Sequence, residues 1–389
     1  MTKKIAIITT HPIQYNAPLF KLLAQEKGVS VKVFYTWGIS VLENKFDPGF
    51  GKKISWDIPL LEGYSYEFLE NIAVKPGSHH YSGINNPTII NSIQKYEPNI
   101  ILIFGWNFKS HLKCIRYFKN KVPIFFRGDS TLLNEKPGFK TIARRILLSW
   151  VYRHIDYALY TGQHNKQYFL KHGLNESQLI YAPHAVDNNR FFEPATDYEL
   201  KAKEWKKLLG INSNEITLLF AGKLEEVKNP FYLLQLMDTL KDWPVKLIIV
   251  GNGPLEKKLK ETAYGNSQVL FLDFQNQSLM PIVYRLGDIF ILCSNSETWG
   301  LGANEAMASG CVVALSDKVG AAVDLIKNEN GLIFSLTDTK ALATNIKNLC
   351  TNRTQLSAMK MKSVRSIQSF SFKTIVHSII TTINKIKKV

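Results

Sequence analysis

Two doubly wound α/β domains in tandem are the fold class this sequence predicts, and three observations carry that prediction. The chain has 389 residues, which at about 100–200 residues per domain fits two domains. Short β-branched or aromatic runs recur with helical stretches between them, the rhythm of a parallel sheet crossed by helices. The series breaks once, at a charged segment over 197–207 without strand pattern, and then begins again.

In the first series, strands are predicted over 4–10, 29–35, 99–104, 123–126 and 157–161, with helices over 19–24 and 140–153. In the second, strands are predicted over 216–220, 245–250, 269–272, 289–293 and 312–315, each followed by a helical or turn-rich stretch. The boundary falls near 190–200, which assigns 1–190 to a first Rossmann-like domain and 191–370 to a second, with 371–389 as a helix packing back on the first. In open α/β sheets ligands bind beyond the carboxyl ends of the strands, so the residues just after each strand are the candidates for chemistry.

Composition excludes several classes. Apolar residues make up 45% and charged residues 21%, enough for buried cores and unlike disordered or collagen-like chains. No stretch approaches the ~18 uninterrupted apolar residues of a membrane span, and the run over 5–8 is too short for a signal-peptide core, so a cytoplasmic location is expected. Cys114, Cys293, Cys311 and Cys350 form no CxxC or Cys/His cluster, which argues against zinc and against a disulfide framework. The net charge is +16, and residues 1–190 carry +11 of it, with 24 basic and 13 acidic residues. Such a bias fits an anionic partner, whether nucleic acid, anionic lipid or a phosphorylated small molecule.

The most informative segment follows the strand over 289–293 and reads SNSETWGLGANEAMASG, from Ser294 to Gly310. It sets Glu297 in a loop and Glu305 near a helix start, with Gly300, Leu301 and Gly302 between them, where backbone N–H groups can approach a ligand. A carboxylate accepts two hydrogen bonds from a vicinal diol such as that of ribose, and amides suit phosphate or sugar oxygens. A capped helix with solvated glutamates is the plainer alternative. The strand over 216–220 runs into Gly222, Lys223 and, five residues later, Lys228; flexible ammonium groups suit a diphosphate, while two ordinary surface lysines are the bland reading. A third turn, Val250-Gly251-Asn252-Gly253-Pro254, has the first two glycines of GxGxxG, but Glu256 replaces the third, so a nicotinamide site is rejected.

Together these motifs resemble the retaining glycosyltransferases of family 4, which have the GT-B fold of two Rossmann-like domains facing an interdomain cleft. The resemblance rests on the E-x7-E pair Glu297 and Glu305, on Gly222, Lys223 and Lys228, and on the VGNGP turn. It extends into the first half through the stretch from His11 to Tyr15, the stretch from Trp56 to Tyr64 and the stretch from Pro183 to Asp187, which look like a bacterial surface-polysaccharide branch. It implies that Glu305 holds the donor ribose, that Lys223 and Lys228 neutralise the diphosphate, and that Glu297 with the amides of Gly300, Leu301 and Gly302 contacts the donor sugar. Gly222, Gly251, Gly253 and Phe274 complete the implied donor set. His11, Gln14, Tyr15, His79 and Trp106 form the expected acceptor side, with loop and core packing as the plainer reading of His79 and Trp106.

Three departures matter: His11 to Tyr15 stand where many relatives have a Gly-Gly loop, Asp273 replaces a usual glycine, and Arg127 replaces a donor-contacting histidine and joins Lys223 and Lys228 as a candidate catalytic cation for the departing diphosphate. No DxD occurs, in keeping with the metal independence the resemblance implies, so no cofactor or metal is expected. The implied activity is hexosyl transfer from a nucleotide sugar, with UDP favoured, to a glycan acceptor that is lipid-linked. An epimerase on the same fold and a basic binding protein are the alternatives; no nucleic-acid module is recognisable. The segment 136–153 reads as a basic amphipathic helix that either lies on anionic lipid or packs an apolar stripe on the core.

Overall fold

Strands buried on both faces must be apolar at nearly every position, and the segments IILIF, IFIL and VVALS of this chain are. The computed structural model describes residues 2–42, 45–47, 52–54, 56–193 and 195–386; the last three residues of the expected C-terminal helix lie outside them. Fifteen strands occur among the described residues: β1 (Lys3–Thr9), β2 (Val29–Tyr35), β3 (Lys45–Asp47), β4 (Lys52–Ile54), β5 (Ser65–Phe68), β6 (Ile100–Phe104), β7 (Ile124–Arg127), β8 (Tyr157–Tyr160), β9 (Leu179–Tyr181), β10 (Ile216–Ala221), β11 (Val245–Val250), β12 (Val269–Leu272), β13 (Ile289–Leu292), β14 (Val312–Ser316) and β15 (Gly331–Phe334).

The chain divides into two compact units, Met1–Lys45 with Pro59–Pro183 and Phe372–Val389, and Phe46–Ile58 with His184–Ser371. The first holds a parallel sheet in the order β5-β2-β1-β6-β7-β8-β9, the second one in the order β12-β11-β10-β13-β14-β15, and β3 pairs with β4. Both large sheets are doubly wound. The strand order reverses between β1 and β6 in one and between β10 and β13 in the other.

The main segment of the second unit begins at His184, ahead of the boundary read from the charged segment, and 46–58 also falls in that unit rather than in the first. Its first residues pack inside that unit: Asn304 Nδ2 donates to His184 O at 3.1 Å, and Asn188 Nδ2 donates to Ile367 O and Phe370 O, both at 3.2 Å. The charged segment itself is the helix Ala195–Leu208. The helix Phe372–Lys385 belongs to the first unit; it buries Ile375, Val376, Ile379 and Ile383, and Lys3 Nζ donates to Ile383 O at 2.8 Å. Sequence periodicity missed β5, β9 and β15, which are short and partly exposed at or near sheet edges.

One device recurs where strands begin. Asn99, Asp156 and Asp288 each stand just before a strand, and each exchanges two hydrogen bonds with the strand beside it. Asn99 Oδ1 accepts from Lys4 N at 2.8 Å, Asp156 Oδ2 from Ile124 N at 2.9 Å, and Asp288 Oδ2 from Thr217 N at 2.8 Å. The backbone N–H of each returns the bond, to Lys4 O, Ile124 O and Thr217 O at 2.8, 3.1 and 2.7 Å. These ties hold the register of β6 on β1, β8 on β7 and β13 on β10.

At Asp288 the tie is charged. Its carboxylate meets Lys360 Nζ at 2.5 Å, with Lys206 near by. Although burial raises its pKa, Lys360, Lys206 and the Thr217 N–H together hold the carboxyl below its ordinary value. A depressed carboxylate contributes stability that is present above its unfolded pKa of about 3.9 and is lost as pH falls through the folded value. Asp288→Asn should therefore lower stability at neutral pH by about 3 kcal/mol. In chemical denaturation across pH, the gap to wild type should begin to narrow below about pH 4 and close only as pH falls through the lowered folded value, where both side chains are neutral.

Candidate functional site

The loops after β10 and β13 leave the sheet at its topological switch point, where a doubly wound sheet opens a crevice at its carboxyl edge. They carry Gly222, Lys223 and Lys228 on one side and Glu297 and Gly300 on the other. Backbone bonds stitch the two together. Asn295 N donates to Val227 O at 2.9 Å, Asn295 Nδ2 to Glu226 O at 3.0 Å, and the Cys293 thiol contacts the carbonyls of Lys228 and Asn229. Lys228 Nζ forms an ion pair with Glu297 Oε2. Burial pushes the Cys293 thiol up to about 12, so it serves as a neutral donor.

Glu297 is fixed from its other side as well. Its N–H donates to Lys318 O at 3.1 Å and its carbonyl accepts from Gly320 N at 2.9 Å, which joins it to the turn after β14. Gly300 caps the helix Leu301–Ala308 with φ +96°, a conformation open to glycine. A side chain there would also meet Leu292 Cδ1 at 2.9 Å.

Glu305 lies one turn inside that helix rather than at its start, and it is 3% exposed rather than solvated. The Tyr284 hydroxyl donates to its Oε2 at 2.7 Å. Gly302 explains how the two meet, because a Cβ at that position would come within 3.3 Å of the Tyr284 hydroxyl and of Phe290. Gly302 thus faces the packing beneath the helix. Leu301 is half-buried in the first turn. Asn304, next to Glu305, receives the Trp299 indole N–H at 2.8 Å and holds His184 O, while the Trp299 and His184 rings lie 5.3 Å apart.

The VGNGP turn is an assembly of close backbones. A Cβ on Gly251 would collide with Gly222 O, and one on Gly253 would come within 2.8 Å of Leu224 N, C and O. In their absence Gly222 N bonds Val250 O and Leu224 N bonds Asn252 O, both at 3.0 Å, which fixes the loop that carries Lys223. Asn252 Oδ1 also accepts from Phe274 N at 2.9 Å. Gly251 and Gly253 therefore shape the lysine loop, and Phe274 follows the edge strand β12, two places from β10 in the sheet.

In the first unit, His11, Gln14 and Tyr15 follow β1 and Trp106 follows β6, the two strands of its switch point. His11 Nδ1 meets Thr10 Oγ1 at 2.8 Å, and its ring lies edge-on to Trp37 at 5.1 Å. Trp106 is half-buried against the core. His79 is exposed in the loop after the edge strand β5, two strands from β1. Arg127 ends β7 and is 7% exposed; its NH1 and NH2 donate to Ala182 O at 2.9 Å and Pro183 O at 3.2 Å. Burial lowers its pKa to about 10, still a cation at neutral pH. The geometry makes it a brace for the end of the segment Pro59–Pro183.

Sequence reasoning missed Tyr284 and His111. The first carries no local signal, being 21 positions from its partner. His111 lies on the helix Lys109–Phe118, fully buried, with Nδ1 donating to Gly105 O at 3.0 Å and Nε2 accepting from Thr36 Oγ1 at 2.9 Å. Burial lowers its pKa to about 4, so the neutral imidazole pins the loop of Trp106 to the turn after β2. The Ser110-His111 pair in an amphipathic helix gives no hint of this.

Comparison with known proteins places a family match within the second unit. Residues 201–364 match the family described as glycosyl transferases group 1. An uncharacterized glycosyltransferase of Methanocaldococcus jannaschii is 32% identical over 133 residues, 33% of this chain and 34% of that protein. The D-inositol 3-phosphate glycosyltransferase of Rhodococcus erythropolis is 30% identical over 181 residues, 42% of this chain and 40% of that protein. The matches thus span well under half the length of these relatives. Among solved structures, Anabaena HepE in complex with UDP and glucose aligns with a TM-score of 0.70 at 18% identity, covering 99% of this chain and 100% of that one. Sucrose-phosphate synthase from Thermosynechococcus elongatus aligns with a TM-score of 0.73 at 16% identity, covering 99% of both. The chain therefore has the GT-B fold, and its residues 201–364 match the family of glycosyl transferases group 1.

Proposed function

We propose that this protein is a retaining, metal-independent glycosyltransferase of family 4. It moves a hexosyl unit from a nucleoside diphosphate sugar, UDP favoured, to a lipid-linked glycan acceptor in surface polysaccharide assembly. The observation that carries the reading is that Lys223, Lys228 and Glu297 stand on the two loops of one switch point, with Glu305 in the helix that follows the second loop. A protein of the same fold binds UDP and UDP-glucose, which supports a nucleotide-sugar donor.

Breaking the sugar–phosphate bond builds negative charge on the departing diphosphate. Lys223, Lys228 and the N–H groups at the start of the helix Leu301–Ala308 neutralise that charge. Glu305, oriented by Tyr284, accepts from the ribose hydroxyls, and Glu297 positions the sugar. Attack comes from the face the leaving group departs, and a donor phosphate oxygen takes the acceptor hydroxyl's proton. His11, Gln14, Tyr15 and Trp106 receive the acceptor, and Arg127 holds the chain at 182–183.

A thermal-shift panel of uridine, guanosine, adenosine and thymidine diphosphates in EDTA tests the donor site. One of the four, UDP by preference, should raise the melting temperature of wild type and lose that effect in folded Glu305→Gln. If none stabilises wild type at millimolar concentration, the donor reading is wrong.

The acceptor's lipid is supported by the helix Phe139–Tyr152. It buries Leu148, Val151 and Tyr152, while Phe139, Ile142 and Ile146 are 77%, 59% and 68% exposed, with Lys136, Lys140 and Arg144 also exposed beside them. A core-packing stripe would bury those apolar residues; an apolar face flanked by cations suits an anionic membrane surface. No helix among the described residues is long and apolar enough to cross a membrane. The full chain should co-sediment with phosphatidylglycerol vesicles more than with phosphatidylcholine vesicles. Phe139→Ser/Ile142→Ser/Ile146→Ser should abolish the difference; equal binding by this variant and wild type would count against the membrane reading.

A further inference from the structure

Lys228 and Glu297 reach each other across 69 positions of sequence, and neither loop is placed by the ion pair alone. The backbone about Lys228 is held by Asn295 and Cys293, and Asn229 turns it sharply with φ +52°. The backbone of Glu297 is held by Lys318 O and Gly320 N. Both side chains are largely withdrawn from water, at 24% and 18% exposure. A carboxylate is therefore built into the position from which Lys228 would engage a diphosphate. An anion arriving at Lys228 must share or displace it, and two anions at such range repel in a site of reduced dielectric.

We infer that Glu297 is an internal competitor for Lys228 that weakens the hold on a free nucleoside diphosphate and so favours the sugar-bearing donor over the spent product. The inference rests on the donor-site reading above. The donor and the product differ in two respects that Glu297 registers. The product's terminal phosphate carries roughly one more negative charge at neutral pH than the phosphodiester of the donor, so it is repelled more. The donor also presents sugar hydroxyls that donate to the carboxylate when Lys228 turns to the phosphate, and the product has none. In this arrangement Glu297 holds the cation when no anion is bound, turns to the sugar when donor arrives, and opposes the diphosphate once the sugar has gone.

Titration calorimetry tests this with UDP, and with inorganic pyrophosphate as a probe independent of the base. The proteins are wild type, Glu297→Gln, Lys228→Met and the double variant, each checked for its melting temperature. Glu297→Gln keeps the size of the side chain and should bind the probe about tenfold more tightly than wild type, ~1.4 kcal/mol. In the Lys228→Met background the same change should bring a clearly smaller gain, because only the direct repulsion of the anion by Glu297 remains. A Glu297 whose role is only to hold the loops would give a less stable variant with equal or weaker binding. Binding by wild type without tightening in Glu297→Gln, or tightening of undiminished size without Lys228, overturns the inference and leaves the donor site standing. Failure of wild type to bind UDP, pyrophosphate or any diphosphate of the thermal-shift panel overturns both.

Discussion

Everything at the candidate site depends on β10 and β13 being hydrogen-bonded neighbours whose connections run to opposite sides of the sheet. Leu218 pairs with Ile289 and Leu219 with Phe290, so the two strands end side by side. Their following segments diverge, the one toward β11 and the other toward β14. A right-handed crossover on each side leaves a crevice between them. Gly222 to Asn229 and Cys293 to Gly302 are the two walls of that crevice, and the charges they carry meet because the strands do.

Register is the second condition, and it is met at the opposite edge of the sheet. Asp288 joins the beginnings of β10 and β13 through the Thr217 backbone, and Lys360 of the helix Arg353–Ile367 pairs with its carboxylate. A slip of one residue there would turn every side chain of β13 to the other face and would carry Glu297 away from Lys228. Asn99 does the same for β6 on β1, the switch-point pair of the first unit, which positions the loops of Trp106 and His11. Polar groups at the amino edge thus set what the carboxyl edge can do.

Several features that look like ligand contacts in the sequence also make contacts within the protein. Gly251, Gly253 and Gly302 clear space for Gly222 O, the Leu224 backbone and the Tyr284 hydroxyl. Their absent side chains allow the lysine loop and Glu305 to sit where they do. Arg127 is likewise committed to the carbonyls of Ala182 and Pro183. A spacing pattern reports that a glycine or a cation is required at a position; it does not report which neighbour requires it.

Local chemistry sufficed for the central strands, because a strand buried on both faces is a continuous apolar run that needs no partner to be recognised. It also sufficed for Gly222, Lys223, Lys228, Glu297 and Glu305 as candidates, because each follows a legible strand. The edge strands β5, β9 and β15 were not legible, since a strand half in water has a pattern shared with many loops. Only the tertiary structure decided that Lys228 pairs with Glu297, that Tyr284 orients Glu305, that His111 is a neutral clamp and that Phe139, Ile142 and Ile146 face outward. Those facts depend on contacts between residues distant in sequence and on which face of a helix finds a neighbour, and neither is written in the residues of one segment.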